Sequence, residues 1–263
     1  MATLKVEGVR KAYPTPAGPD MAVLKDVSFT AGDGEFLAIV GPSGCGKTTF
    51  LRVLDGLAGA DGGSIALDGR PVAGPGPDRG FVFQSDSLLP WRTVADNIGF
   101  GLELQRRDRA AARRAVSELV RLVGLEGFER YYPHQLSGGM RQRVNLARAL
   151  AIDPAVLLMD EPFAALDAQT RELMQAELLR IWNAARKTVL FVTHQIDEAV
   201  FLSDRVVVMA RRPGRIIADI TIELPRPRAL EMKRTPRFAE YEEQIWRLIA
   251  GDVQNAAKEN ADG

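Results

Sequence analysis

The sequence predicts an α/β fold with a mainly parallel sheet, and three observations support this. Short segments such as Val156–Asp160, Thr188–Thr193 and Arg205–Ala210 are continuously apolar rather than alternating, which is typical of strands buried on both faces. Helical stretches lie between such segments, as expected when helices cover both faces of a parallel sheet. A glycine-rich turn also joins the strand Glu35–Val40 to a helix, which gives the order strand, turn, helix early in the domain.

Shorter runs of β-branched and aromatic residues predict the remaining strands. These are Leu4–Val9, Val27–Thr30, Ser64–Leu67 and Phe81–Phe83. The stretch from about Pro90 to Ser137 has helical spacing and is rich in arginine. We interpret this stretch as an inserted helical subdomain whose arginines form a solvated face.

Near the C-terminus, five apolar residues recur at helical spacing. They are Phe238, Tyr241, Ile245, Leu248 and Ile249. This pattern predicts one amphipathic helix that packs on its own domain rather than on a membrane. The polar tail from Gly251 is expected to be frayed.

The composition limits the possible partners. The 263 residues suffice for one large α/β domain, or one domain with a smaller insert. Lys plus Arg equals Asp plus Glu at 34 each, so the global basic field that favours nucleic acid is absent. The N-terminus has no secretory apolar stretch, and no run approaches the ~20 apolar residues of a membrane helix. Any role at a membrane is therefore expected to need a separate partner.

A phosphate-binding loop is predicted after the strand Glu35–Val40. The segment Gly41-Pro42-Ser43-Gly44-Cys45-Gly46-Lys47-Thr48 has the G-x-x-x-x-G-K-[ST] pattern between a strand and a helix. Glycines let successive backbone N–H groups face phosphate oxygens, and the helix directs its positive end there. We expect Lys47 to reach the β- and γ-phosphates of ATP and the Thr48 hydroxyl to coordinate Mg²⁺. An ordinary tight turn would explain the glycines but not the Lys-Thr pair.

The single cysteine of the chain, Cys45, lies inside this loop. One thiol cannot form an internal disulfide, and no Cys/His cluster indicates zinc. The helix N-terminus is expected to lower the pKa of the Cys45 thiol and make it reactive. The alternative is that cysteine stands here only because it is small.

Two carboxylates follow the strand that begins at Val156, namely Asp160 and Glu161. Ligands of open α/β sheets bind at the carboxyl ends of the strands. Asp160 is expected to hold Mg²⁺, directly or through water, and Glu161 to polarise the attacking water. The alternative, two acids that merely cap a strand, is weaker beside a phosphate loop.

The segment Leu136-Ser137-Gly138-Gly139-Met140-Arg141-Gln142-Arg143 precedes a helix-forming stretch, Val144–Ala151. Alone, Ser-Gly-Gly is also compatible with a flexible turn. Because this segment lies between a phosphate loop and an acid pair along the chain, it resembles the signature motif of ABC ATPases. The resemblance covers roughly residues 3–222. It implies a P-loop NTPase core over 1–222 with a mainly parallel sheet, an N-terminal antiparallel β subdomain, a helical subdomain inserted at about 90–138, and a C-terminal extension over 223–263.

The same resemblance implies roles for single residues. Tyr13 is similar to the aromatic residue that stacks on adenine. Gln84 is similar to the glutamine that joins the catalytic core to the helical subdomain. His194 is similar to the switch histidine that contacts the γ-phosphate, and Ala165-Leu166-Asp167 to the loop that crosses to the partner subunit. Ala164-Ala165 stands where Ser-Ala is common, a mild departure.

The resemblance thus gives three sets of expected site residues, with ATP and Mg²⁺ as the bound groups. The ATP-binding set is Tyr13, Gly41, Pro42, Ser43, Gly44, Cys45, Gly46, Lys47, Thr48, Thr49, Ser137, Gly138 and Gly139. The metal set is Thr48, Gln84 and Asp160, and the catalytic set is Lys47, Gln84, Glu161 and His194.

A head-to-tail pair of two copies is also implied, in which each ATP lies between the phosphate loop of one copy and Ser137-Gly138-Gly139 of the other. The two glycines permit close backbone approach, and the following helix offers its positive end to the γ-phosphate. A lone copy would lack half of this electrostatic stabilisation and should be slow. Hydrolysis loosens the pair, which gives the mechanical stroke.

Two further segments resemble the nitrate/sulfonate/taurine importer group of ABC ATPases. They are Leu88-Leu89-Pro90-Trp91-Arg92-Thr93-Val94, followed by Asp96-Asn97, and Arg211-Arg212-Pro213-Gly214-Arg215. The resemblance implies a motor subunit at the cytoplasmic face of the cell membrane. Its partners would be separate permease subunits and, indirectly, an external solute-binding protein, with no nucleic acid.

Two alternatives remain open. A soluble ABC ATPase acting on nucleic acid or ribosomes is disfavoured by the single cassette and the lack of net basic charge. A non-hydrolysing scaffold or exporter half is disfavoured by the intact Lys47, Asp160, Glu161 and His194. The solute itself stays open among nitrate, taurine, alkanesulfonates and pyrimidine precursors, because selectivity resides in the binding protein and permease.

Overall fold

The computed structural model describes residues 3–16, 18–85, 87–211 and 213–259, with side chains to residue 252. Its contacts group the chain into two compact units. The first unit comprises Met1–Gly76 and Thr188–Gly263, and the second comprises Pro77–Lys187. The second unit is wider than the helical subdomain expected at about 90–138, and that narrower boundary stays a prediction.

Strands and helices alternate along much of the chain. The strands are β1 (Leu4–Thr15), β2 (Gly18–Ala31), β3 (Phe36–Val40), β4 (Gly62–Leu67), β5 (Arg70–Pro71), β6 (Arg79–Val82), β7 (Val156–Asp160), β8 (Thr188–Thr193), β9 (Arg205–Met209) and β10 (Ile216–Thr221). The α-helices are α1 (Lys47–Asp55), α2 (Val94–Leu104), α3 (Arg109–Leu122), α4 (Gly138–Ala151), α5 (Ala168–Ala185), α6 (Ile196–Leu202) and α7 (Pro236–Glu259). Short 3₁₀ helices span Pro133–Gln135 and Leu230–Arg234.

An antiparallel sheet in the order β2-β1-β4-β5 lies in the first unit, so the expected N-terminal antiparallel β structure is confirmed. Strands β1 and β2 extend well beyond the segments predicted from sequence. The reason is cross-strand backbone pairing, such as Tyr13 with Met21, which continues through residues whose side chains are mostly exposed. A hydrophobic pattern cannot reveal pairing of that kind.

The parallel pairings confirm the predicted α/β class. In the first unit, β3 pairs in parallel with both β8 and β9, and β10 pairs antiparallel with β9. In the second unit, β6 and β7 pair in parallel. Every residue of β3, β7 and β8 is buried, which explains their continuously apolar sequences. Strand β10 was not predicted from the sequence, because only part of it is buried and its residues form no continuous apolar run.

Helix α4 begins at Gly138, six residues before the helix-forming stretch that the sequence indicated. The side chain of Ser137 makes the difference, because its Oγ accepts a hydrogen bond from the Met140 N–H as an N-cap. Such a cap satisfies a donor of the first turn and lets two glycines be helical despite their low propensity. The signature segment is therefore the first turn of a helix.

Helix α7 packs on α6 and on β9. Its buried side chains Phe238, Tyr241 and Ile245 repeat at the spacing of one helix face. The tail that was expected to fray from Gly251 is instead part of α7, which continues to Glu259. Residues 260–263 lie outside the described residues. Within the described part of the chain, no helix is long and apolar enough to span a membrane.

Candidate functional site

The phosphate loop has the backbone shape that its glycines allow. Gly44 and Gly46 have φ of 77° and 102°, values that strain a side chain with a Cβ. Gly46 is the N-cap of α1 and provides no side-chain hydrogen bond to the first turn. The positive end of the α1 dipole therefore lies at the loop, which favours the binding of a phosphate group there.

Lys47 is buried within this loop. Its Nζ donates hydrogen bonds to the carbonyl oxygens of Gly41 at 2.7 Å and Pro42 at 3.2 Å. These contacts hold the ammonium group against the loop at the start of α1. Because the charge is largely removed from bulk water, its attraction for a phosphate is strengthened.

The loop is enclosed by two neighbouring segments of the same unit. A Cβ on Gly41 would lie 2.6 Å from the carbonyl oxygen of Met209, and one on Gly46 would lie 3.1 Å from that of Val23. The glycines at these positions therefore permit close packing of the loop as well as its turn geometry. The loop conformation depends on residues from β2 and from the end of β9.

The predicted lowering of the Cys45 pKa is wrong. Its side chain is only 1% exposed, and burial raises the pKa of the thiol, an effect that Lys47 opposes but does not cancel. The Sγ atom lies 2.9 Å from the position of a Cβ on Gly41. The thiol thus fills a small space within the loop, which supports the alternative that cysteine is present for its size.

Tyr13 lies in the same unit as the phosphate loop. Its ring is 37% exposed, and the Lys11 ammonium is 5.3 Å from the ring centroid. Lys11 is itself held by Asp61 at 2.7 Å. Tyr13 pairs with Met21 on β2, two residues before Val23, which packs against the loop. Tyr13 is therefore exposed on β1, and the neighbouring strand β2 packs against the phosphate loop. This placement suits the stacking role expected for Tyr13.

His194 follows β8 in the first unit and is exposed. The turn beside it is fixed by Thr193, whose Oγ1 donates to the buried Glu198 at 2.6 Å and accepts from the Gln195 N–H at 3.0 Å. These hydrogen bonds orient the backbone on both sides of the histidine. The arrangement presents the imidazole at the carboxyl end of β8, the edge at which ligands of such sheets bind.

The acid pair lies at the end of β7 in the second unit. Asp160 is buried and ends the strand, whereas Glu161 is half-buried and has φ of 43°. This left-handed conformation is costly for a residue other than glycine and tends to occur at functional positions. The Ala164 N–H donates to the Glu161 carbonyl oxygen at 3.1 Å, which closes the turn after the strand.

The signature segment packs against the loop that follows the acid pair. A Cβ on Gly138 would lie 3.3 Å from Leu166 Cδ2, and one on Gly139 would lie 3.4 Å from Thr170 Cγ2. Asp167 caps α5 by accepting from the Thr170 N–H and hydroxyl, and these hydrogen bonds lower its pKa. The second unit therefore brings the Ser137–Gly139 and Ala165–Asp167 segments together.

Gln84 follows β6 and is exposed. The segment after it is organised by Asn97, a fully buried residue on α2. Asn97 Nδ2 donates to the carbonyl oxygens of Leu89, Arg92 and Thr93, and its Oδ1 accepts from the Leu89 N–H. From the sequence, Asn97 was recognised only as part of the Asp96-Asn97 motif. The feature that could have indicated its structural role is a polar amide next to the apolar residues of a helix.

Trp91 is 71% exposed in the turn before α2. A groove of about 740 Å³ lies between α2 and α3. The turn is next to this groove, since Arg92 of the turn forms an ion pair at 2.9 Å with Glu103, which lines the groove. The groove combines apolar groups with charges of both signs. Its charged lining residues are Asp96, Glu103, Arg107, Arg109, Arg113 and Glu129.

Among the residues that the structure describes, no group of three His, Cys, Asp or Glu side chains could hold a metal ion. Mg²⁺ beside a nucleotide is usually held by one or two protein oxygens together with substrate phosphates, so it does not require a cluster of three such side chains. Asp160 and the Thr48 hydroxyl are oxygen ligands of the required kind. Gln84 contributes an amide oxygen of the same chemical class.

Comparison with known proteins gives a consistent result. The sequence model of the family described as ABC transporter matches residues 24–164, which include the phosphate loop, the signature segment and the acid pair. An uncharacterized ABC transporter ATP-binding protein of Methanocaldococcus jannaschii is 50% identical over 255 residues, 97% of this chain and 94% of that protein.

Two further relatives have transport names. The taurine import ATP-binding protein TauB of Pelagibacter ubique is 44% identical over 253 residues, 95% of this chain and 96% of that protein. The nitrate import ATP-binding protein NrtC of Synechococcus elongatus is 47% identical over 246 residues, 92% of this chain but 37% of that protein. Among solved structures, a dimeric ATP-binding cassette in a post-hydrolysis state with ADP and Pi matches with a TM-score of 0.73 and 31% identity, over 84% of this chain and 100% of that one.

Proposed function

Since this chain belongs to the ABC transporter family as an ATP-binding ATPase subunit, we propose that it is the motor of an importer for a small solute such as nitrate, a sulfonate or taurine. The observation that carries the nucleotide role is the phosphate loop, in which the Lys47 ammonium is held at the positive end of α1. The import role is supported by relatives named as taurine and nitrate import ATP-binding proteins. The proposed location is the cytoplasmic face of the cell membrane.

The proposed roles of the side chains follow from their chemistry. Lys47 and the loop amides offset the negative charge of the β- and γ-phosphates, and Tyr13 stacks on the base. Glu161 orients the attacking water and accepts its proton, while His194 donates a hydrogen bond to the γ-phosphate. Thr48, Asp160 and Gln84 would hold Mg²⁺, which would supply further charge neutralisation at the phosphates.

We propose that two copies pair head to tail, so that the N-terminus of α4 in one copy faces the γ-phosphate bound by the other. Ser137 is exposed and Gly139 is buried against α5, and the three residues Ser137–Gly139 have neither charged nor bulky side chains. A helix N-terminus of this kind stabilises an anion that approaches it closely. The related cassette structure is a dimer.

Ser137→Arg is expected to prevent ATP-dependent pairing while one copy still binds nucleotide, because the long side chain occupies the approach of the γ-phosphate. Pairing is measured by light scattering with MgATP in the Glu161→Gln background, and binding by titration with MgADP. Ser137→Ala is the matched control, since it also loses the N-cap hydrogen bond to Met140 but adds no bulk. Normal pairing of Ser137→Arg would contradict the head-to-tail arrangement.

The groove between α2 and α3 is proposed to receive a cytoplasmic helix of the permease. An amphipathic helix with charges of both signs would match the apolar and charged lining of this groove. The exposed Trp91 beside it has the size and amphipathic character of residues that dominate binding energy at protein interfaces. An importer subunit without a spanning helix in its described part needs such a contact to act at a membrane.

A photo-cross-linking amino acid at position 91 tests both the partner and the groove. Co-expressed with its permease, the chain is expected to cross-link to a cytoplasmic loop of that polytopic membrane protein. The same substitution at Trp246, which is 57% exposed on α7, is the control and is expected to give no permease product. Cross-links from position 91 to RNA or ribosomal proteins would instead support the soluble ATPase alternative.

A further inference from the structure

The apolar stripe of α7 ends in an acid. Phe238, Tyr241 and Ile245 are buried on one helix face, and Asp252 follows Ile245 by two turns of the same face. The Asp252 side chain is only 11% exposed. A carboxylate in such a place is costly unless hydrogen bonds or opposite charges satisfy it.

Asp252 finds its partners in the turn between β9 and β10, formed by Ala210–Arg211 and Pro213–Arg215; Arg212, noted in the sequence motif, lies outside the described residues. Asp252 Oδ2 accepts a hydrogen bond from the Arg211 N–H at 2.8 Å, and Oδ1 accepts from Arg215 Nη2 at 3.3 Å. The Ala210 N–H donates to the Arg215 carbonyl oxygen at 2.9 Å and closes the turn. The Asp252 carboxylate therefore holds both sides of this turn on α7 through hydrogen bonds.

The same turn lies directly against the phosphate loop. A Cβ on Gly214 would lie 2.1 Å from the carbonyl oxygen of Cys45. The backbone of the turn therefore packs directly on the backbone of the loop, with no room for a side chain between them. Gly214 is also fixed to β2, because its N–H donates to the Val23 carbonyl oxygen at 2.8 Å and its carbonyl oxygen accepts from the Lys25 N–H at 2.9 Å. Val23 in turn packs on Gly46.

We propose that Asp252 is a positioning residue for the nucleotide site: it fixes the β9–β10 turn, whose Gly214 holds the phosphate loop in its binding shape. The C-terminal helix thereby sets nucleotide affinity without touching nucleotide. This inference rests on the proposed nucleotide role of the loop. Burial is the main cause of the raised pKa of the Cys45 thiol, and the negative charge of Asp252 raises this pKa further. Such an effect is expected of a carboxylate that lies near the loop.

Cys45 provides a reporter of the loop that is independent of nucleotide, because it is the single cysteine of the chain and is buried there. In the full-length chain, Asp252→Ala is expected to speed reaction of Cys45 with the disulfide reagent DTNB about tenfold, as expected for about 1.4 kcal/mol of lost restraint. The Kd for MgADP is expected to rise by a similar factor, about tenfold.

Matched variants separate positioning from general stability. Arg247→Ala breaks an exposed ion pair with Glu243 on the same helix and is expected to leave both readouts unchanged. Asp252→Asn removes the charge that raises the Cys45 pKa but keeps an oxygen for the Arg211 N–H. It should therefore label and bind MgADP more like the wild type than Asp252→Ala does. The pair Asp252→Ala and Arg215→Ala should be non-additive, since both remove one interaction. The accelerated labelling should depend little on low urea, because local opening exposes little surface.

The proposal is overturned if Asp252→Ala lowers the melting temperature but labels and binds MgADP like the wild type, which is the behaviour of a simple helix anchor. It is also overturned if labelling accelerates only in proportion to global unfolding in urea. A wild-type chain that does not bind MgADP would instead contradict the proposed nucleotide role, and the labelling comparison would still decide whether Asp252 fixes the loop.

Discussion

Glu161→Gln is expected to lower ATP hydrolysis by at least the ~10²–10⁴-fold that general-base catalysis typically contributes. The substitution keeps the size of the side chain but removes its negative charge and most of its basicity. Glutamine also faces the same backbone requirement, because Glu161 has φ of 43° and neither residue is a glycine. The loss should therefore arise from chemistry and not from folding.

The same variant is expected to accumulate as an ATP-bound pair. Lys47, Thr48 and Asp160 remain to bind MgATP, and removal of a negative charge near the triphosphate reduces repulsion on closure. Turnover is measured as phosphate release, and pairing as a doubled mass on MgATP addition or, where an isolated pair is too weak, as closure in the permease complex.

Glu126→Gln removes an exposed carboxylate from the same unit and should hydrolyse ATP like the wild type. Normal turnover in Glu161→Gln would remove this residue from the mechanism. Loss of ATP binding in the variant would assign the carboxylate a structural role.

Lys47→Ala is expected to reduce turnover by ~10²–10³-fold, the loss typical when one preorganised charge or donor is removed from an active site. Nucleotide affinity should fall as well, since the ammonium group attracts the phosphates in the bound state before hydrolysis. Isothermal titration with MgADP and a phosphate-release assay report the two effects separately.

Loop folding must be distinguished from lost charge in this variant, because Lys47 Nζ also binds the Gly41 and Pro42 carbonyl oxygens. The rate at which DTNB labels Cys45 reports the shape of the loop. This rate should change much less than the affinity for MgADP. Arg52→Ala removes an exposed cation from the other end of α1 and serves as the matched control. Wild-type affinity and turnover in Lys47→Ala would contradict the assignment of the phosphate loop.

Together, these variants separate three contributions that an activity measurement alone would merge. Lys47 is expected to act on binding and chemistry, Glu161 on chemistry and on closure of the pair, and Asp252 on binding through the shape of the loop. Ser137 acts only on the pair. Each expectation follows from where the side chain lies and which charge or contact it provides.

Features that neighbouring residues encode could be predicted from the amino-acid sequence. The phosphate loop and the acid pair are contiguous motifs, so both could be located from their residue types, and the glycines also predicted the turn of the loop. The φ of 43° at Glu161, by contrast, opposes the preference of its residue type. The continuously apolar segments at β7 and β8 were predicted with the correct bounds, because strands buried on both faces leave no place for polar residues. The fold class and the family followed from the order of these segments.

Features that depend on distant residues became visible only in the folded chain. The burial of Cys45, which reversed the expected shift of its pKa, results from packing around the loop and not from the helix that follows it. The contact of Asp252 with Arg211 joins residues 41 positions apart, and no local pattern distinguishes that acid from other polar residues of the tail. Local sequence sets backbone preference and periodicity, whereas burial and long-range hydrogen bonds arise only when separate segments pack together.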